Sequence, residues 1–164
     1  MCIERYPPGF LPKQLLILSV FINNTSHLLE EVHCVPHGFA RLVGNPQSGK
    51  WLFFAGKSCQ LLFCQLLNKD IEVWKRYYIA KEPCNIRFAN NGPYLGMHMA
   101  LYNQLQNNIG GHEQMLIDEH QFNFFYLPDG EIELFISASG HYTLFEVCSY
   151  KELTPGVLIS AIVL

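Results

Sequence analysis

Charged residues are scarce in this sequence, and neither sign is concentrated in one stretch. They make up 15% of the 164 residues, and the formal net charge is −3. Binding to nucleic-acid phosphates requires clustered lysine and arginine, which this chain lacks. We therefore expect no direct contact between this chain and nucleic acid.

Long apolar runs and paired cysteines are also missing. The run from Leu15 to Ile22 and the final GVLISAIVL are both much shorter than the roughly 20 residues of a membrane-spanning helix. The six cysteines include no C-x-x-C pair, and the N-terminus lacks the features of a secretion signal. These absences predict a reduced, cytoplasmic protein with buried thiols and no membrane anchor.

Patterns for catalysis and metal binding are absent as well. No G-x-S-x-G elbow occurs, and cysteines in runs such as QLLFCQLL are expected to behave as small hydrophobic residues. His98 has no second histidine two residues away, and Pro36 prevents a helix that would align His33 with His37. We predict no catalytic residue, no metal site and no cofactor.

The run GNPQSGK, from Gly44 to Lys50, has the glycine and lysine spacing of a phosphate-binding P-loop. That loop needs a Ser or Thr after the lysine and a helix that begins there. Trp51 occupies the Ser/Thr position, and WLFFAG has no helical periodicity. Asn-Pro and Ser-Gly are turn dipeptides, so we predict a β-hairpin loop between strands FARLV and KWLFF, with Lys50 solvated and no ATP bound.

Aromatic and apolar residues are plentiful, at 13% and 49% of the chain. From about Phe39 onward, short runs rich in β-branched and aromatic residues alternate with turn signals such as NKD, NNGP and PDG. This rhythm predicts a mainly β fold, a cupin-like or jelly-roll antiparallel β-barrel with few short helices. We expect a single domain over 1–164, with the barrel core at 39–150, an N-terminal segment at 1–38 that periodicity does not assign, and a C-terminal tail at 151–164.

Two runs alternate clearly between the faces of a strand. In EIELFI, Ile132, Leu134 and Ile136 share one face, which we assign to the core. In DIEVWKRYYIA, we assign to the core the face that carries Ile71, Val73, Tyr77 and Ile79. The opposite face is mixed and carries Glu72, Trp74, Arg76 and Tyr78. The mixed face suits either a wet surface or the lining of a barrel mouth.

Four segments in this part of the chain follow one another in a familiar order. They are the run VWKRYYIA, matched at Tyr78 and Ile79, then Pro93 to His98 (P-x-L-x-x-H), Gln121 to Pro128 (Q-[FY]-N-x-x-Y-x-P) and Tyr142 to Glu146 (Y-x-x-F-[DE]). In this order they resemble the N-terminal sensing domain of AraC/XylS-type transcriptional regulators, particularly those common in Bacteroidetes. The resemblance covers roughly residues 70–150 and implies a cupin-like barrel that binds a small effector or mediates dimerisation.

The helix-turn-helix domain that follows in this family has no counterpart in the sequence, so we expect either an excised sensor domain or a naturally short homologue. Ligand pockets are lined by aromatic side chains with a few polar groups. We predict that Trp74, Tyr78, His98 and Tyr126 bind the ligand, because each lies in a matched segment and has polar capacity.

The leading hypothesis is a non-enzymatic, homodimeric sensing domain that binds a small organic effector and communicates with a DNA-binding domain. One alternative is a stand-alone cupin-like enzyme that binds a metal through three or four convergent His and Glu side chains. Another is a partner-binding module that dimerises through its apolar N- or C-terminal segments. The sequence does not identify the effector.

Overall fold

The computed structural model describes residues 19–45, 49–67, 72–89, 94–109, 114–127 and 131–149. Strands account for most of these residues, and one short helical segment lies between the third and fourth strands. The strands are β1 (Ser19–Ile22), β2 (Thr25–Leu28), β3 (Glu30–Val32), β4 (Lys50–Ala55), β5 (Cys59–Leu67), β6 (Glu72–Ala80), β7 (Cys84–Ala89), β8 (Tyr94–Tyr102), β9 (Leu105–Ile109), β10 (Gln114–Ile117), β11 (Phe122–Leu127), β12 (Glu131–Ile136) and β13 (Gly140–Ser149). The helical segment is a 3-10 turn (His37–Phe39) followed by α1 (Ala40–Val43).

The strands form two antiparallel sheets. One has six strands in the order β10-β9-β12-β7-β1-β2, and the other has seven in the order β11-β8-β13-β6-β5-β4-β3. Strands β6 to β13 therefore place β6-β13-β8-β11 in one sheet and β7-β12-β9-β10 in the other, which is the double Greek-key order of a jelly roll. The predicted fold class, mainly β and cupin-like, is confirmed. Strand pairing does not join the two sheets into a closed barrel within the described residues.

Two apolar clusters hold the layers together. The larger cluster fills the space between the sheets, with Val20, Ile86 and Leu134 from one sheet against Phe63 and Leu144 from the other. A smaller cluster lies on the outer side of the seven-stranded sheet, beneath the helical segment. Strands β1 to β3 precede Phe39, and Val20 of β1 is fully buried.

The segment FARLV, predicted as a strand, is helical. Phe39 and Val43 are buried and lie four residues apart, which is the spacing of one helical face. Gly44 ends the helix with a φ of 66°, a conformation that glycine adopts at little cost. GNPQSGK therefore connects a helix to a strand, not two strands, and its residues 46–48 lie outside the described part of the chain.

The loop context also differs from that of a P-loop, as the sequence predicted. Strand β4 begins at Lys50, where a phosphate-binding loop would need the start of a helix. Lys50 is not simply solvated, because its Nζ lies 3.1 Å from Glu31 Oε2 and its side chain is only 24% exposed. This pair joins the neighbouring strands β3 and β4.

The alternation in β12 is confirmed, since Ile132, Leu134 and Ile136 are all buried. In β6 the face assigned to the core was wrong, and of the two alternatives for the mixed face the structure selects the lining. The inner side carries Trp74, Arg76 and Tyr78, so the mixed face lines the interior. Its opposite face carries Val73, Tyr77 and Ile79 on the outer side, where Tyr77 and Ile79 pack into the smaller cluster. Both faces of β6 are covered, and hydrophobicity alone could not distinguish them; Ile71 lies outside the described residues.

Candidate functional site

Four polar side chains lie together between the two sheets. Arg76 is on β6, His98 on β8 and Glu146 on β13, which are neighbours in the seven-stranded sheet, while Asn107 comes from β9 of the opposite sheet. Glu146 stands opposite His98 across the β13–β8 pair. Their exposed fractions are between 0% and 4%, so all four are shielded from solvent. We refer to these four side chains as the polar chain.

Hydrogen bonds and an ion pair connect the polar chain from one end to the other. Asn107 Nδ2 lies 3.0 Å from His98 Nδ1, and His98 Nε2 lies 3.1 Å from Glu146 Oε1. Arg76 Nη2 makes an ion pair with Glu146 Oε2. Because an amide nitrogen donates, His98 accepts at Nδ1, and its Nε2–H donates to the carboxylate. The polar chain thereby ties one sheet to the other.

The ionisation of Glu146 follows from these neighbours. Burial by itself raises the pKa of a carboxyl, but the charge of Arg76 and the interactions with His98 outweigh that effect. The pKa of Glu146 is therefore lowered, and the group is a carboxylate at neutral pH. Burial raises the pKa of the nearby Tyr78 phenol, which stays protonated.

Aromatic rings surround the charged end of the polar chain. The Arg76 guanidinium carbon lies 4.6 Å from the ring centre of Phe88, 5.1 Å from that of Phe63 and 5.8 Å from that of Trp74. A cation over an aromatic face is attracted by the ring quadrupole. Polar groups of both signs thus face an apolar, aromatic interior.

The predicted ligand-binding residues do not all come together. Trp74, Tyr78 and His98 lie on the inner side of the seven-stranded sheet and are at most 2% exposed. Tyr126 is 61% exposed, and it lies on the outer side of β11. Its neighbour Phe125 points inward instead, with its ring centre 4.5 Å from that of His98. Successive residues of a strand face opposite sides, so Tyr126 and Phe125 cannot both reach the interior.

Sequence reasoning did not single out three members of the polar chain. Glu146 ends the matched segment Tyr142 to Glu146, and Arg76 shares a strand face with Trp74 and Tyr78, so both had a usable signal. Asn107 lies in the run NNIGGH, which was interpreted as a turn. Its inward position depends on the pairing of β9 with β12, which no local pattern reveals.

The polar chain fits poorly with the metal site of a cupin. His98 and Glu146 are ligand types, but the described residues contain no group of three or more His, Cys, Asp and Glu side chains that could hold a metal ion. The Arg76 cation already neutralises the Glu146 carboxylate and would repel a divalent cation. In the part of the chain that the structure covers, no helix is long and apolar enough to cross a membrane.

No protein-family model matches this sequence, and no curated protein matches it. Solved structures do show similarity. The cupin domain of an XRE-family transcriptional regulator from Enterobacter cloacae is 13% identical, with a TM-score of 0.47, over 56% of this chain and 98% of that one. A regulator of the HTH_3 family from Vibrio cholerae is 6% identical, with a TM-score of 0.44. That match covers 56% of this chain and 52% of the regulator.

An RmlC-like cupin from Shewanella frigidimarina is also similar. It is 11% identical, with a TM-score of 0.45, and the match covers 60% of this chain and 82% of the cupin. Of these three proteins, two are cupins by name and two are transcriptional regulators.

Proposed function

We propose that this chain is the effector-binding domain of a transcriptional regulator of the AraC type that its sequence resembles. A small organic ligand binds between the two sheets and contacts the polar chain. The observation that carries the proposal is the connected set of buried polar groups from Asn107 through His98 and Glu146 to Arg76. On this proposal the domain acts in the cytoplasm, has no catalytic activity and leaves DNA contact to another domain.

The polar chain costs free energy that an apolar interior would not. Replacing a buried ion pair by hydrophobic residues of similar volume is often neutral or stabilising, because both charges lose their hydration on burial. Asn107 Oδ1 is buried and has no hydrogen-bond partner among the described residues. An acceptor left in this state favours a ligand that supplies a donor. We infer that ligand recognition is the reason for the polar interior.

The same contacts suggest how a bound ligand would be sensed. Asn107 belongs to the six-stranded sheet, and its partner His98 belongs to the seven-stranded sheet. A ligand that competes for this hydrogen bond would alter the contact between the sheets and favour one arrangement of the domain. Catalysis is not favoured, because both nitrogens of His98 are engaged and the lowered pKa of Glu146 makes it a weak base.

A thermal-shift screen tests this proposal. Panels of neutral monosaccharides and of small carboxylic acids are added to the wild type, to Asn107→Leu and to Asn108→Leu. Asn108 is the matched control, because it lies beside Asn107 on β9 but bonds outward to Glu133 at 3.1 Å. A ligand should raise the melting temperature of the wild type and Asn108→Leu, while Asn107→Leu should lose the shift.

Two results would count against the proposed function. A shift that Asn107→Leu retains in full would contradict binding at the polar chain. Stabilisation by Zn²⁺ or Mn²⁺ that disappears in both His98→Phe and Glu146→Gln would instead support the metal-binding cupin enzyme.

A further inference from the structure

The outer side of strands β11, β8 and β13 is apolar and uncovered within the described residues. We call this surface the open face. Cross-strand pairing aligns its side chains in rows, with Phe122 opposite Met99 and Phe124 opposite Met97. The open face comprises Phe122, Phe124 and Tyr126 of β11, Leu95, Met97 and Met99 of β8, and Phe145 and Val147 of β13. None of these eight side chains is charged.

The β11 residues are the most exposed part of the open face. Phe122, Phe124 and Tyr126 are 57%, 53% and 61% exposed. The rings of Phe122 and Phe124 pack edge to face with their centres 5.7 Å apart, so they form a continuous aromatic ridge. An exposed apolar patch of a few hundred Å² on a protein is often a functional surface.

The remaining outer surfaces of the two sheets differ from the open face. Next to the open face, the helical segment covers β4 to β6, where Phe39 packs on the cluster containing Trp51, Leu62 and Tyr77. On the six-stranded sheet, the outer side is mixed: Glu133 accepts hydrogen bonds from Asn85 and Asn108, and the exposed Phe135 and Leu116 lie among polar neighbours such as Gln106. No described residue covers the open face, and its side chains are not charged.

Among the strands that the structure describes, β11 is also an edge without the usual protection. Edge strands usually avoid association by being short or by carrying charge or proline. The other edges of the two sheets, β2, β3 and β10, have four, three and four residues. β11 has six residues, FNFFYL, without charge or proline. It pairs with β8 on one side and ends the sheet on the other.

We propose that a second copy of this chain covers the open face, with the two β11–β8–β13 faces packed about a two-fold axis. An isologous contact brings the same surface of both copies together, so a charged surface would face its own charge. The aromatic ridge is uncharged, so this repulsion does not arise. This inference does not depend on the ligand at the polar chain, because it concerns the opposite side of the sheet.

The three exposed rings supply less than half of the area that such a dimer requires. An aromatic side chain has roughly 150–250 Å² to bury, so three that are half exposed or more present about 350 Å². A standard interface takes about 800 Å² from each partner. The partly buried Leu95, Met97 and Met99 and the open edge of β11 add to the aromatic contribution. We therefore expect a dimer of moderate affinity that dissociates on dilution.

Light scattering after size exclusion, run over a series of concentrations, tests the proposal on the full chain. Phe124→Lys places a charge in the middle of the β11 ridge of each copy, where an apolar contact would have to bury it. Phe135→Lys is the matched control, because Phe135 is 41% exposed on the outer side of the other sheet. The wild type and Phe135→Lys should dimerise, and Phe124→Lys should raise the dissociation constant about tenfold or more. Thermal melts confirm that both variants are folded.

A wild type that stays monomeric at every concentration, or a Phe124→Lys variant that dimerises as well as the wild type, would overturn the proposal. So would a loss of the dimer in Phe135→Lys alone. Hydrogen exchange gives an independent measurement on the unaltered chain. Protection of the β11 amides should increase with protein concentration, and protection that is independent of concentration would mean that another part of the same chain covers the open face.

Discussion

In strands β8, β11 and β13, the usual distribution of polar and apolar side chains between the inner and outer sides is reversed at several positions. Their inner side carries the buried His98 and Glu146, while their outer side carries exposed rings such as Phe122 and Phe124. Charge lies where a core is expected, and aromatic surface lies where water is expected. Alternation in a strand therefore separates two faces, but what covers each face is decided by other parts of the molecule.

The two sides also have different energetic consequences. On the inner side, burial removes the hydration of an ion pair, and hydrogen bonds within the polar chain offset the free energy that this costs. The outer side leaves apolar area in water, which association would remove. The first arrangement should be sensitive to single polar substitutions, and the second to protein concentration.

The largest effect is expected from Glu146→Ala. The substitution leaves the Arg76 guanidinium buried without its counter-charge, which should lower the free energy of unfolding by about 3–5 kcal/mol. Urea denaturation measures the loss. Glu31→Ala is the control, because its ion pair with Lys50 is partly exposed and should contribute less than about 1 kcal/mol. Equal losses in the two variants would contradict the buried pairing.

Phe39→Ala compares the covered half of the outer surface with the open face. Phe39 is fully buried beneath the helical segment, so its truncation should leave a cavity and cost about 3 kcal/mol. Phe124→Ala, at the same protein concentration and under conditions where the chain is monomeric, should cost less than about 1 kcal/mol. Chemical denaturation of both variants is the measurement, and similar costs would show that the two surfaces are equally buried.

Acid should weaken the inner side selectively. Because the pKa of Glu146 is lower in the folded protein than in the unfolded chain, its stabilisation is fully present above the unfolded pKa. The stabilisation is lost as the pH falls below about 5 and through the folded pKa, since the unfolded state then binds the extra proton. Melting temperatures from pH 7 to pH 3 should fall less steeply for Glu146→Gln than for the wild type. Parallel curves would contradict this assignment.

The smallest effect is expected on the open face of the dilute protein. Phe124→Thr replaces the exposed ring with a β-branched residue that also suits a strand, and it should change monomer stability by less than about 0.5 kcal/mol. Its effect should appear as the concentration rises, when the wild type gains stability from dimerisation and the variant does not. Phe135→Thr, on the other sheet, should follow the wild type at every concentration. Melting temperature against concentration gives the comparison.

Much of the fold could be predicted from local pattern. Alternation with frequent turn signals indicated an antiparallel jelly roll, and the inward Ile132, Leu134 and Ile136 of β12 followed from period two. FARLV was misassigned because a run of five mixed apolar and polar residues is compatible with a strand or a helix. Burial of Phe39 and Val43 against the sheet selected the helix. The β-hairpin around GNPQSGK failed for the same reason.

The candidate site was predictable in part. Matched segments pointed to Trp74, Tyr78 and His98, which do lie on the inner side of one sheet. Tyr126 came from the same kind of segment, but successive residues of β11 face opposite sides, and Tyr126 lies on the open face. Asn107 had no signal at all, because its contact with His98 joins strands of different sheets.

The sequence by itself determined the class of fold, the strand that begins at Lys50 and the two-faced character of each strand, because these depend on spacing and turn residues a few positions apart. The tertiary structure decided which face of β6 lies inside, that His98, Glu146, Arg76 and Asn107 meet, and that the rings of β11 remain in the open. Those outcomes depend on pairings between residues far apart in the chain, such as His98 with Glu146. The burial of a side chain is set by the layer opposite it, and local sequence carries no record of that layer.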